Sequence, residues 1–131
     1  MAASLPALDE FNRFYWTSGA DGRLRLLRCG HCQAWLHPPG PVCPHCQSDA
    51  LAPQVVSGLG TVEAVTVNHQ AWTPDMAVPY AIARVSLDED TAIRLTTRIV
   101  GLPAERVAIG QRVKVRFVAS GDVFLPFFEP A

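Results

Sequence analysis

Three observations predict a mainly β fold for this chain of 131 residues. All four cysteines fall in two Cys-x2-Cys pairs, Cys29/Cys32 and Cys43/Cys46. From Pro53 onward, short stretches alternate apolar and polar residues and are separated by turn residues. Helical periodicity is confined to one short stretch near the N-terminus. The expected layout is an N-terminal helical segment (1–22), a four-cysteine zinc ribbon (23–52) and a five-stranded OB-fold barrel (53–131).

The helix is expected from Leu8 to Trp16. Leu8, Phe11, Phe14 and Tyr15 share one stripe, and Asp9 and Glu10 sit near the start, where the helix dipole favours acid. The turn residues Ser18 to Gly22 end it. Arg23 to Arg28 reads as a strand leading into the first cysteine pair. Each pair can hold two thiolates on one side of a tight turn, and two facing turns make a closed tetrahedral sulfur site that suits structural zinc. A closed site leaves no open position for substrate. A rubredoxin-like iron site has the same four ligands, and spacing does not separate the two. A thioredoxin-type redox pair sits in a βαβ unit, and no such pattern surrounds Cys29. His31 and His45 lie inside the knuckles as bystanders. Trp35 is expected to pack on the ribbon, and Pro38, Pro39 and Pro41 stiffen the loop between the pairs.

Five strands are expected next. Thr61–Asn68 is rich in Val and Thr. In Tyr80–Leu87, the residues Ala81, Ala83, Val85 and Leu87 share one face. Thr91–Val100 sets Ile93, Leu95 and Ile99 against Arg94, Thr96 and Arg98. Val113, Val115 and Phe117 oppose Arg112, Lys114 and Arg116. Val123–Phe128 follows the turn Ser120-Gly121-Asp122. Five short strands with little helix suit a small barrel, for which the OB-fold is the commonest answer.

Composition bounds the function. A net charge of −1 lacks the basic footprint of a dedicated nucleic-acid binder. The start, Met1 to Pro6, shows no leader pattern, and no apolar run reaches membrane-spanning length, so a cytoplasmic protein is expected. A reducing compartment favours metal over disulfide for the cysteines. No catalytic constellation is visible: there is no nucleophile elbow, phosphate-cradling loop or His-Glu-x-x-His. His69 stands at a strand end with no partner base or nucleophile near it in sequence, so the chain is expected not to be an enzyme.

Arg94, Arg98, Arg112, Lys114 and Arg116 are expected to face outward, as a solvated barrel exterior or as a landing surface for coenzyme A phosphates or an acidic partner. The apolar residues Phe11, Phe14, Trp16, Trp72, Phe127 and Phe128 exceed what a small barrel needs. They are the candidate contacts to a partner or to acyl-CoA.

The layout resembles the acyl-CoA-associated family in which a rubredoxin-like zinc ribbon precedes an OB-fold, the small accessory proteins of thiolase-type enzymes. The resemblance is carried by Phe14-Tyr15-Trp16, Gly22 to Cys29, the cysteine pairs and Ser57 to Val62. It continues through Pro79 to Ile82, Ile109 to Val113 and Leu125 to Pro130. It implies an accessory subunit without activity of its own, bound to a thiolase-superfamily enzyme and in some members to a hot-dog-fold hydratase, with acyl-CoA within reach. It also implies that the four cysteines are the ribbon's ligands. Two alternatives stand beside it: an OB module for single-stranded nucleic acid, and a stand-alone acyl-CoA-binding protein or enzyme. The first lacks aromatic platforms in its basic groove, and the second lacks a nucleophile and base.

Overall fold

The computed structural model describes residues 5–74 and 76–131. Met1 to Ser4, where the leader reading begins, and Asp75 of the Trp72 loop lie outside the described residues. The helix is shorter and later than its periodicity predicts: α1 spans Arg13–Thr17, and a 3-10 turn continues it over Ser18–Asp21. The cause is local. The Asp9 carboxylate accepts the backbone N–H groups of Phe11 and Asn12, each at 2.8 Å, and Asn12 Oδ1 accepts the Asp9 N–H at 2.8 Å. Short polar side chains that bond nearby backbone compete with helix, so residues 10–12 form a turn.

Three strands build the ribbon sheet: β1 (Arg25–Cys29), β2 (Trp35–Leu36) and β3 (Leu51–Val55), in the order β2-β1-β3. β3 runs through Pro53. An edge strand tolerates a proline, which has no N–H to give a ladder, and β3 is such an edge. Successive residues of β1 face opposite ways. Leu24 and Leu26 join the barrel core, while Leu27 and Cys29 join Leu36 and Cys43 in the ribbon.

Five strands close the barrel: β4 (Leu59–Asn68), β5 (Tyr80–Leu87), β6 (Asp90–Ile99), β7 (Arg112–Ser120) and β8 (Val123–Pro130), in the order β4-β5-β6-β8-β7. Closure removes the free sheet edges. All pairings are antiparallel except β6 with β8, which meet at the single register pair Ile99–Phe128. Gly60 is required where β4 crosses β5, because a Cβ there would lie 2.6 Å from the Ser86 carbonyl oxygen. The inward set Ala81, Ala83, Val85 and Leu87 is buried as the alternation predicts, together with Val62, Leu95, Ile99, Val113 and Phe128.

Thr97 is an inward polar residue that the pattern does not flag. It is 9% exposed, and its hydroxyl donates to the Pro126 carbonyl at 2.7 Å. That bond reinforces the seam where β6 and β8 share least ladder. Thr97→Val keeps the shape and leaves that carbonyl without the donor. The expected loss is about 1–3 kcal/mol of unfolding free energy in urea melts, with Thr97→Ser close to wild type.

Candidate metal centre and barrel cleft

The four Sγ atoms of Cys29, Cys32, Cys43 and Cys46 lie within 4.8 Å of one another. Cys29–Cys46 and Cys32–Cys43 approach to 3.6 Å. A tetrahedral ion with bonds of ~2.3 Å to sulfur needs sulfurs ~3.8 Å apart, so the donor set fits such an ion. The knuckles also supply donors. The backbone N–H groups of His31 and Cys32 point at Cys29 Sγ, and that of His45 points at Cys43 Sγ, all at 3.4 Å. Hydrogen bonds to the charged form favour it. The Cys29 thiol is accordingly pulled down to about 6, chiefly by the Cys32 N–H. The rings of His31 and His45 are exposed, and neither belongs to the four-sulfur group.

The ribbon's own buried core is Leu27, Cys29, Leu36 and Cys43. Two buried leucines contribute about 1.5–3 kcal/mol each, whereas a bound ion in such a site contributes about 10–16 kcal/mol. The metal term dominates.

The basic strand faces are neutralised by partners distant in sequence. Arg94 meets Glu63 at 2.7 Å, Arg112 grips Asp88 through two bonds of 2.7 Å, and Arg116 and Lys114 share Glu129 at 3.3 and 4.0 Å. The Arg112 guanidinium holds the Asp88 carboxyl below its ordinary value. Arg98 is different. It makes no ion pair among the described residues, and its guanidinium carbon lies 4.0 Å from the Tyr80 ring centroid and 5.7 Å from that of Phe127.

Arg98, Tyr80 and Phe127 line a cleft of about 330 Å³ between α1 and strands β5, β6 and β8. Trp16, Leu125 and Pro126 form apolar wall, and Thr73 and Met76 bring the Trp72 loop to the same cleft. The candidate contacts therefore separate. Trp16 and Phe127 meet in this cleft, and Trp16 and Phe11 line a second, between the N-terminal segment and the proline loop. Phe14 packs against both cores. Trp72 is 70% exposed. Phe128 is fully buried in the barrel core, so it supports the fold and offers no surface. His69 is exposed.

Nothing in the sequence singles out His37 or marks Tyr15 off from its aromatic neighbours. Their rings lie 5.0 Å apart at the junction of α1 and the proline loop. Burial pushes His37 down to about 4 and the Tyr15 hydroxyl above its usual range, so both rings are neutral at neutral pH. His37 Nδ1 is buried without a hydrogen-bond partner among the described residues.

A four-sulfur ribbon joined to a closed five-stranded barrel defines the zinc-ribbon/OB-fold class. The family model described as ChsH2, rubredoxin-like zinc ribbon domain, matches residues 16–52, and that described as ChsH2, C-terminal OB-fold domain, matches residues 53–118. The chain belongs to the ChsH2 family. It is 36% identical over 127 residues to a probable enoyl-CoA hydratase alpha subunit of Thermomonospora curvata. It is 31% identical over 125 residues to the 3-oxo-4,17-pregnadiene-20-carboxyl-CoA hydratase alpha subunit of Mycobacterium tuberculosis. These matches take in 96% and 95% of this chain but span only 39% of each relative. A solved structure named Ltp2-ChsH2(DUF35) aldolase superposes with a TM-score of 0.87 at 34% identity, covering 96% of this chain and 98% of that one. A DUF35-family protein of unknown function from Sulfolobus solfataricus shares the fold, with a TM-score of 0.59 at 15% identity over 88% of this chain and 82% of its own.

These names overturn the expectation that the chain is not an enzyme. Its relatives are called hydratase subunits and part of an aldolase, so they are components of catalysts. The absent nucleophile and base misled because a motif search within this stretch does not see groups supplied from outside it.

The metal centre yields a direct test. Chelation, or Cys43→Ser, should abolish amide protection across β1–β3 while β4–β8 stay protected, as read by hydrogen exchange.

Proposed function

We propose that this chain is a subunit of an acyl-CoA-processing enzyme complex and works as part of that catalyst. The observation that carries the reading is its superposition, over 96% of its length, on a chain of the structure named Ltp2-ChsH2(DUF35) aldolase. The acyl-CoA part follows from the relatives called hydratase alpha subunits. A thiolase-superfamily enzyme is the partner we favour, with a hot-dog-fold hydratase second.

The surface agrees with such a role. Trp72 is 70% exposed and Phe11 40% exposed, and burial of large aromatics dominates interface energetics. Phe11, Phe14, Trp16, Trp72 and Phe127 are the proposed contact set, without Phe128. Single-stranded nucleic acid is disfavoured, because Arg94, Arg112, Lys114 and Arg116 already pair with carboxylates.

We assign zinc as the ion of Cys29, Cys32, Cys43 and Cys46, in a structural role, since the sulfur set is closed. The working division is a helical segment 1–22, a ribbon 23–52 and a barrel 53–131. The four free cysteines suit a reducing cytoplasm, and among the described residues no helix is long and apolar enough to cross a membrane.

Purification of the tagged chain from its own cells tests the reading. Wild type should bring down a CoA-thioester-processing enzyme in fixed ratio. Trp72→Ala should reduce that capture about tenfold or more without changing the melting temperature, the loss of a central aromatic anchor costing about 2 kcal/mol or more. Recovery of the wild-type chain alone would remove the reading.

A further inference from the structure

Two cations on the barrel strands, Arg84 and Arg98, form no ion pair among the described residues; Arg84 is exposed, whereas Arg98 lines the cleft. Arg94, Arg112, Lys114 and Arg116 each have a carboxylate partner, and Arg98 has none among the described residues. It is half-buried in the cleft wall, with its guanidinium carbon 4.0 Å from the Tyr80 ring centroid. Stacking engages the flat face of a guanidinium and restricts its motion, yet leaves the N–H edge free to bond in its own plane. A planar, held fork of this kind matches carboxylate and phosphate oxygens in a bidentate way.

The surroundings narrow the ligand. Trp16, Leu125, Pro126 and Phe127 give the cleft mainly apolar walls. A half-buried cation beside such walls, with no carboxylate partner among the described residues, favours an anion from outside the chain. The volume of about 330 Å³ lies at the low end for ligand pockets. It seats an extended arm rather than a whole nucleotide coenzyme.

We propose that this cleft binds the anionic end of an extended acyl or acyl-pantetheine arm, with Arg98 bonding the anion and Trp16, Leu125 and Phe127 flanking the part of the arm next to it. This deepens the reading above and rests on it. Two sources share the chemistry: a phosphate of a CoA thioester and the carboxylate of a free fatty acid.

Calorimetric titration of the full chain separates them. The probes are octanoyl-CoA, octanoyl-pantetheine, which lacks phosphates, and octanoate. Tight binding of octanoyl-CoA with weak octanoate identifies the phosphate source, and the reverse identifies the carboxylate. In either case Arg98→Gln should weaken the anionic ligand about tenfold or more, as expected for a charged hydrogen bond. It should leave octanoyl-pantetheine unchanged. Arg98→Lys, which keeps the charge but not the fork, should fall between. Near-ultraviolet circular dichroism and the melting temperature of both variants should match wild type.

The proposal is overturned if wild type binds none of the probes at millimolar concentration. It is equally overturned if Arg98→Gln binds the anionic ligand as wild type does, or if octanoyl-pantetheine binds as tightly as octanoyl-CoA and octanoate does not bind. Capture of the partner enzyme by the same proteins is scored separately. Intact capture without ligand binding removes only the cleft proposal, and failed capture by wild type removes the subunit reading.

Discussion

The ribbon depends on bringing four sulfur atoms together. Two of its four buried core residues are cysteines, and the knuckles around them are built to favour thiolate through backbone N–H donors. Without an ion, holding four thiolates this close is unfavourable, and beside the two cysteines the fully buried ribbon cluster among the described residues contains only Leu27 and Leu36. With an ion, the strands on either side acquire fixed geometry. β1 and the residue before it then present Leu26 and Leu24 to the barrel, and the proline loop holds His37 against Tyr15. A structural ion can thus affect the surface of a barrel it does not touch.

The coupling runs through one shared core. Tyr15, Leu24, Leu26 and Val56 are buried in the same cluster as Val85, Leu95 and Phe128. Gly19 lets the turn after α1 approach Phe117 and Phe124 of the barrel closely. The N-terminal segment is therefore packed onto the barrel and forms one wall of the cleft that holds Arg98. Cleft and interface candidates lie side by side because the Trp72 loop supplies residues to that cleft as well.

Much of the fold was legible in the sequence. Alternation in 80–87 gave the inward face of β5, since a half-buried strand has to alternate, although Ser86 of the opposite face is buried too. Cysteine spacing gave the ribbon, since ligand geometry admits few arrangements. Other features were not legible for physical reasons. The helix start was misplaced because Asp9 and Asn12 use their side chains to form a turn, which periodicity ignores. Phe128 looked like surplus apolar surface in a run where nearly every residue is hydrophobic, and only barrel closure decides which side is inside. The carboxylate partners of the basic faces were not legible, because Glu63, Asp88 and Glu129 reach them from other parts of the chain. Arg98 was indistinguishable from its neighbours until the rings around it were placed. Its significance lies in its place in the cleft without a carboxylate partner among the described residues, and alternation along one strand carries no information about that.

The relatives' names place chains of this family inside catalysts, although no catalytic motif is visible in this sequence. The proposed role, a subunit that completes a partner's site, would reconcile the two. The most direct measurement is turnover of CoA thioesters by the co-purified partner enzyme, stripped of this chain and then reconstituted with it. The account predicts that activity is lost on stripping and returns at a fixed molar ratio of added chain. A partner enzyme equally active without the chain would contradict it.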